Sequence, residues 1–475
     1  MKKLGKNLLW SLLSVLALCF TACSSDDDNN GANSGNTPSD TSKEVKVVDE
    51  KETPFVQVLT EDFGSSMLSQ LVGGNAGENE DDLQMLAGMR SAAEQHALET
   101  LASVGGGNDD AGISDLVNFL VGGITIHYWS VDGDGNPILL SGNIYLPKAW
   151  GRYLDCRDIM LSCHPTAFND LMISMFSMRS HVSDQVVVLE PDYIGFGGTK
   201  DMSQTYLCQK LIARQCVDMI PAALEVLEEK GVSMAKGYGT YVVGYSQGGG
   251  NAMAVGRHLE MEASDDMKKL VNLKKVTCGA GPYDPMATFN YWLEHDRLSL
   301  TVVLPMVIKG MMEGHRDIME GISLQSYFSN LYKSTGVVDR VDNHELGLDF
   351  LMLDNSEELA SINLGPCEGS KMFNWMQFSP IMSDEVKNPN SHIRKALEES
   401  MSQEVLTDWV PAVPVEIFAS TLDNVIPVQA NAQAAYDKMV GAGAKNVKIN
   451  LGDYGDHIAA QMKFNEYLTN LGYRE

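Results

Sequence analysis

Six short apolar runs, separated by amphipathic helical stretches, predict an α/β fold built on a mostly parallel sheet with helices on both faces. The runs are "DIMLSCH" (158–164), "QVVVLEPDY" (185–193), "TYVVGYS" (240–246), "KKVTCGAGPYDP" (274–285), "VPVEIFAST" (413–421) and "NVKINLG" (446–452). Stretches such as "YLCQKLIARQCVDMIPAALEVLEE" (206–229) carry the 3.6-residue period of a helix. Strands that are apolar throughout, instead of alternating, need cover above and below.

The first residues are of another kind. Three lysines precede an apolar run from Leu8 to Phe20, too short to span a bilayer but suited to a secretory signal. The run closes in "FTAC", which resembles a bacterial lipobox, so residues 1–22 are expected to be removed and Cys23 to carry a lipid. The acidic "SSDDDNN" after it resembles the surface-export signal of Bacteroides-type lipoproteins. The expected location is the outer membrane, on its cell surface or periplasmic face, with the anchor as the only membrane contact. Residues 23–52 are polar and poor in aromatics, and read as a disordered tether. Residues 53–120 show helix-like apolar spacing, broken by glycine-rich stretches, and read as a small helical N-terminal segment.

The main domain is expected in two parts, 121–285 and 411–475. It opens with "ITIHYWSVDGDGNPILLSGNIYLPK" (124–148), two β-rich runs around a turn signal. The acid that should close a calcium loop there falls in an apolar strand, so the turn is read as a turn. Between the parts, 286–410 is mostly helical in pattern and is read as a cap over the carboxyl edge of the sheet.

At 475 residues the chain has room for such a core and its cap, and 44% hydrophobic residues is ordinary for a globular protein. A net charge of −28 argues against nucleic acid or an anionic bilayer as the main partner. Six cysteines lie beyond the N-terminal region (Cys156, Cys163, Cys208, Cys216, Cys278 and Cys367). They admit fifteen full pairings, among which sequence does not choose. No C-x-x-C or H-E-x-x-H spacing is present, so neither a metal nor a cofactor is expected.

The chemistry centres on "GYSQG" (244–248). Thr240–Gly244 reads as a buried strand and Gly248 onward as a helix, the setting in which a serine is thrust out on a strained turn as a nucleophile. Gly244 and Gly248 then stand where strand and helix approach closely. A serine hydroxyl needs a base. His457 follows the last strand in a glycine-rich loop, whereas His315, His344 and His392 fall in the cap. The acid that orients the base is read as Asp423, directly after the strand 413–421, with Asp456 second. Asp453 and Asp456 suit turn or helix-capping roles. The backbone N–H of Gln247 is one expected oxyanion donor. The other comes from "SCHPTAFND" (162–170), where Pro165 has no N–H, leaving Thr166 or, second, Ala167. His164 is expected to prop that loop, and Asp192 and Tyr193 to hold the loop after their strand.

With Ser246, Asp423 and His457 in this order, the chain resembles the α/β-hydrolase superfamily. "EPDYIGFGGT" (190–199), "YSQGG", "GNIYLP", "HPTAF" and "DNVIP" are similar to its secreted lipase and esterase branch, over roughly Ile124 to Tyr473. The resemblance implies hydrolysis of a small-molecule or glycan-linked ester through an acyl-enzyme. Three alternatives stay open. One is an acetyl or feruloyl esterase of polysaccharide side chains. Another is a serine peptidase of the prolyl-oligopeptidase type, with Glu357 and Glu358 receiving a substrate amine. The third is a catalytically silent binding lipoprotein. The cap methionines Met306, Met311, Met312 and Met319 suit either an adaptable apolar cleft or simple packing of the cap helices.

Overall fold

The computed structural model describes residues 45–54, 58, 119–149, 151–182, 186–347, 356–367 and 373–474. The signal segment, Cys23, residues 24–44 of the expected tether and almost all of the expected N-terminal helical segment lie outside them.

Among the described residues the strands are β1 (Lys46–Pro54), β2 (Phe119–Val131), β3 (Pro137–Ala149), β4 (Arg152–Tyr153), β5 (Asp158–Cys163), β6 (Val186–Pro191), β7 (Thr240–Tyr245), β8 (Leu273–Gly279), β9 (Asn363–Pro366), β10 (Asn374–Met376), β11 (Val415–Ser420) and β12 (Val447–Gly452). Ten of them form one sheet in the order β1-β2-β3-β6-β5-β7-β8-β11-β12, with β4 paired to β3. Pairing is antiparallel from β1 to β6 and parallel from β6 to β12. The fold is the α/β-hydrolase fold, a mostly parallel sheet covered by helices.

Alternation along the central strands decides what covers each face. Leu161, Leu189, Val242, Val276 and Ile417 enter one apolar cluster, together with the helices α2 (Gln209–Glu229) and α3 (Gln247–Met261). Their neighbours Met160, Val188, Val243 and Phe418 point the other way, onto Phe464 and Ala460 of the C-terminal helix α12 (His457–Tyr467). Both faces are dry, which is why these strands lack polar alternation. A buried ion pair crosses the sheet where Lys275 Nζ meets Glu416 Oε2 at 2.7 Å, and the Tyr467 hydroxyl donates to the other carboxylate oxygen at 2.8 Å.

The hairpin β2–β3 forms as its turn chemistry demands. Asp132 Oδ1 accepts from the N–H groups of Asp134 (2.9 Å) and Asn136 (2.8 Å), the side-chain bonding that nucleates such turns. Outside it lies a difference from the sequence reading. Lys46–Pro54, assigned for most of its length to the disordered tether, is strand β1, paired antiparallel along β2. Its alternation "KVVDEKETP" is too polar to read as a core strand, and at a sheet edge it need not be one. Residues 119–120, assigned to the helical segment, begin β2.

Besides α2, α3 and α12, the core carries α1 (Asp170–Met175), α4 (Asp265–Val271) and α11 (Ala432–Gly441), and between β8 and β11 the chain forms α5 (Pro285–His295), α6 (Val303–Gly314), the short helices α7 (Asn330–Lys333), α8 (Val337–Asp342) and α9 (Asp384–Lys387), and α10 (His392–Gln403). The two-stranded hairpin β9–β10 also lies in this interval and did not show in its helical pattern. Met306, Met311 and Met319 are buried in the core, where they pack the helices of this interval.

The tightest approach to backbone is behind Ser246, where a Cβ placed on Gly248 would overlap the carbonyl of Cys163. Gly248→Ala is therefore expected to lower the urea midpoint by the equivalent of about 1–3 kcal/mol or more. Chemical denaturation checks this, and an unchanged midpoint would remove close backbone approach as the reason for the glycine.

Candidate active site

The residues singled out in the sequence come together above the carboxyl ends of the parallel strands, the usual place for a site in such sheets. β7 ends at Tyr245 and α3 begins at Gln247, so the chain reverses at Ser246 alone. Ser246 takes φ 57° and ψ −123°, a conformation costly for a residue with a Cβ. The turn is held by its own backbone: Ser246 N–H donates to Gly279 O at 2.9 Å, and Gly250 N–H donates to Ser246 O at 3.1 Å.

His457 opens α12, capped by Asp456, whose side chain accepts from the Ala459 N–H at 2.9 Å. The imidazole lies between the other two residues. Nε2 is 2.9 Å from Ser246 Oγ and Nδ1 is 2.7 Å from Asp423 Oδ2. A carboxylate only accepts, so Nδ1 carries the proton and Nε2 is free to accept from the serine. The side chains of His457 and Asp423 are 6% and 1% exposed, so water competes little for these bonds. Asp423 is aimed by its loop, since its Oδ1 accepts from the N–H groups of Val425 (2.9 Å) and Ile426 (2.8 Å).

Several positioning residues escaped the sequence reading. Asn424 Oδ1 accepts from the His457 N–H at 3.2 Å, and the Tyr245 hydroxyl donates to the His457 carbonyl at 2.8 Å. Ser420 Oγ donates to Gly455 O at 2.6 Å and accepts from the Tyr454 N–H at 3.2 Å, fastening the acid strand to the base loop. The hydroxyl of Ser299, in the cap, donates to the Asn424 carbonyl. Of these only Asn424 carried a signal, as the second residue of "DNVIP".

Ser246, Gln247 and Thr166 share a cavity of about 50 Å³, walled by apolar side chains from core and cap that include Leu207, Trp292, Val303, Val307, Met401 and Ile426. Among the described residues neither the Gln247 nor the Thr166 N–H donates to a backbone carbonyl. The Thr166 side chain is fixed by a 2.7 Å hydrogen bond between its Oγ1 and the Tyr206 hydroxyl. Met401 is the one methionine of the wall, and none of the four methionines singled out in the cap contributes.

The remaining candidates lie elsewhere. His344 is bonded to the Lys200 carbonyl at 2.6 Å, His392 opens α10, and His315 pairs with Glu404. Glu357 and Glu358 are exposed on a turn and do not border the cavity. The six described cysteines are buried free thiols. His164 is buried and stacked on Tyr193 at 3.9 Å, its ring nitrogens at the carbonyls of Pro165 (2.8 Å) and Asp192 (3.1 Å). Asp192 accepts from Ser141 Oγ (2.7 Å) and Asn143 Nδ2 (3.2 Å), and Ser141 Oγ accepts in turn from Gly198 N–H at 2.7 Å. Both residues hold loops and neither borders the cavity.

No protein-family model and no curated protein matches the sequence. Among solved structures, the rice cell wall degrading esterase LipA from Xanthomonas oryzae superposes with a TM-score of 0.58 at 18% identity, over 75% of this chain and 90% of that one. A Legionella pneumophila protein gives 0.56 at 18%, over 74% and 88%. Candida antarctica lipase A in its closed state gives 0.51 at 12%, over 77% and 79%. These likenesses establish the fold of the chain.

Burial moves two acid–base groups in opposite directions. It raises Asp192 from 3.8 to about 6 and depresses His164 from 6.5 to about 4. As pH rises from about 4 to 6, folding loses stability through Asp192, which the unfolded chain deprotonates first. Over about the same window it gains stability through His164, which the unfolded chain keeps protonated longer. Each contribution is about 3 kcal/mol, so the two nearly cancel. Asp192→Asn removes one of them, so between pH 4 and 6.5 its stability is expected to climb by about 3 kcal/mol relative to the wild type. Urea midpoints across that range decide, and parallel profiles for the two proteins would contradict it.

Proposed function

We propose that the chain is a serine carboxylic-ester hydrolase working through an acyl-enzyme on Ser246. What carries the proposal is the unbroken hydrogen-bonded row Asp423–His457–Ser246 ending in a small apolar cavity. His457 Nε2 takes the proton as Ser246 Oγ attacks the ester carbonyl. The oxygen that becomes negative is received by the N–H groups of Gln247 and Thr166, the first with the dipole of α3 behind it. His457 returns the proton to the leaving alkoxide, freeing the alcohol. Water, deprotonated by the same nitrogen, then attacks the acyl-enzyme and restores Ser246. Asp423 keeps the imidazole in the right tautomer and stabilises its cation.

The cavity favours small acyl groups. At about 10–15 Å³ for each water-sized group, a space of about 50 Å³ takes three to five of them. That matches acetyl to butyryl. A glycan acetyl ester satisfies the same size limit as a small free ester. The exposed position of Glu357 and Glu358 gives an amine no anchor at the reacting serine, which speaks against peptidase activity.

The test sets wild type and Ser246→Ala against p-nitrophenyl esters of rising chain length, acetylated xylan, feruloylated substrate and dipeptide amides. Acetate to butyrate esters are expected to be turned over at least tenfold better in kcat/KM than octanoate. Ser246→Ala should lose both turnover and fluorophosphonate labelling, and Asp423→Asn should lower kcat by about 10⁴-fold. A wild type that neither cleaves esters nor takes the probe leaves only the binding-protein reading. Amide turnover exceeding ester turnover would favour a peptidase.

We also propose that Cys23 carries the lipid anchor. Cys23→Ala is expected to abolish both metabolic labelling by palmitate and the removal of residues 1–22. Retention of both would overturn this.

A further inference from the structure

Away from Ser246, three helix ends converge. Cys208 is the N-cap of α2, His315 the C-cap of α6 and Glu404 the C-cap of α10. Cys208 Sγ, a ring nitrogen of His315 and a carboxylate oxygen of Glu404 all lie within 4.8 Å of one another, the one such group among the described residues. His315 Nε2 and Glu404 Oε1 are 2.9 Å apart. The other oxygen, Oε2, is occupied by the Lys210 N–H at 3.0 Å, which fixes the carboxylate and leaves Oε1 turned to the cluster.

The surroundings are shaped around the sulfur. A Cβ on Gly314 would overlap Cys208 Sγ, so α6 reaches its end over that atom only because residue 314 is glycine. Cys208 and Glu404 are buried, while the His315 side chain remains 16% exposed and leaves one side of the cluster open.

We propose that Cys208, His315 and Glu404 bind a single zinc-class divalent cation, with water in the fourth position. One thiolate, one imidazole and one carboxylate suit a borderline-soft ion; magnesium and calcium prefer oxygen ligands alone. The thiol proton, now donated to Gly310 O at 3.0 Å, leaves to solvent as the S–metal bond forms. The two negative charges then balance the dication, as a buried site requires. Ligand atoms around tetrahedral zinc are about 3.5 Å apart, so each side chain needs to shift by about an ångström or less. The spacing rules for metal motifs miss the site because its three residues come from segments far apart in the chain.

The ion would clamp the cap to the core without touching the substrate. Tyr206 and Leu207, two cavity residues, immediately precede Cys208; Val303 and Val307 lie on the helix ending at His315; Met401 lies on the helix ending before Glu404. This inference does not depend on what Ser246 does.

The test loads the full chain with Zn²⁺, desalts it and measures bound metal, then repeats the loading with Co²⁺. Wild type is expected to keep about one equivalent of zinc, to melt at a higher temperature with zinc than with chelator, and to show a thiolate-to-cobalt charge-transfer band. Cys208→Ser should lose the band, and His315→Ala should bind at least tenfold more weakly. If Cys208→Ser does not fold, His315→Ala decides, because its ring is partly exposed. A wild type that keeps under a tenth of an equivalent and melts alike in zinc and chelator overturns the proposal. Variants that bind as the wild type does place the ion elsewhere and overturn it equally.

Discussion

Ser246 sits at a positive φ, and the surrounding backbone leaves it no other place to go. Its N–H is held by the end of β8 and its carbonyl by α3, while Gly248 is pressed against the end of β5. Two neighbouring strands and a helix therefore over-determine one residue, which is how a strained dihedral persists in a folded chain. The same crowding explains the string of small residues after the serine: α3 enters so close to the strand ends that side chains on its inner face would meet carbonyl groups. The strain and the exposure of the hydroxyl are two consequences of one close approach.

The acid and base depend on that geometry but arrive by a different route. β11 and β12 pair in register, Ser420 opposite Gly452, so the loops that follow them leave the sheet side by side. Ser420 then ties the two loops together through its hydroxyl, and Asn424 reaches from the acid loop to the N–H of the base. Because Asp423 points one oxygen at its own backbone and the other at His457, rotating the carboxyl would break three bonds at once. The imidazole is thereby oriented by a loop that is itself held by hydrogen bonds to its own backbone.

What could be read in the sequence follows from which contacts are local. The strand–serine–helix turn and the order of Ser246, Asp423 and His457 were legible because each rests on residues within a few positions of it. β1 was not, since an edge strand needs only one covered face and its polar composition looks like a tether. The hairpin β9–β10 was hidden too, being two short strands, the first largely exposed, inside a helical interval. The cap methionines illustrate the limit from the other side. Composition alone left both an adaptable cleft and simple packing open for them; three of the four lie inside the core, and Met401, never singled out, is part of the cavity wall. Which side of a cap helix faces the cavity is set by tertiary packing, and the spacing of apolar residues is the same for either choice.

Core and cap are coupled through the site itself. The Ser299 hydroxyl, carried by the cap, holds the carbonyl of Asn424, whose side chain holds the N–H of His457. Tyr245, on the core strand, holds the His457 carbonyl independently. Apolar packing alone would fix the segment between β8 and β11 only loosely, because such contacts have little direction. The directed hydrogen bond from Ser299 sets its position against the loop that carries Asp423. The same segment thus serves two ends, completing the apolar wall beside Ser246 and holding the residue bonded to the His457 N–H.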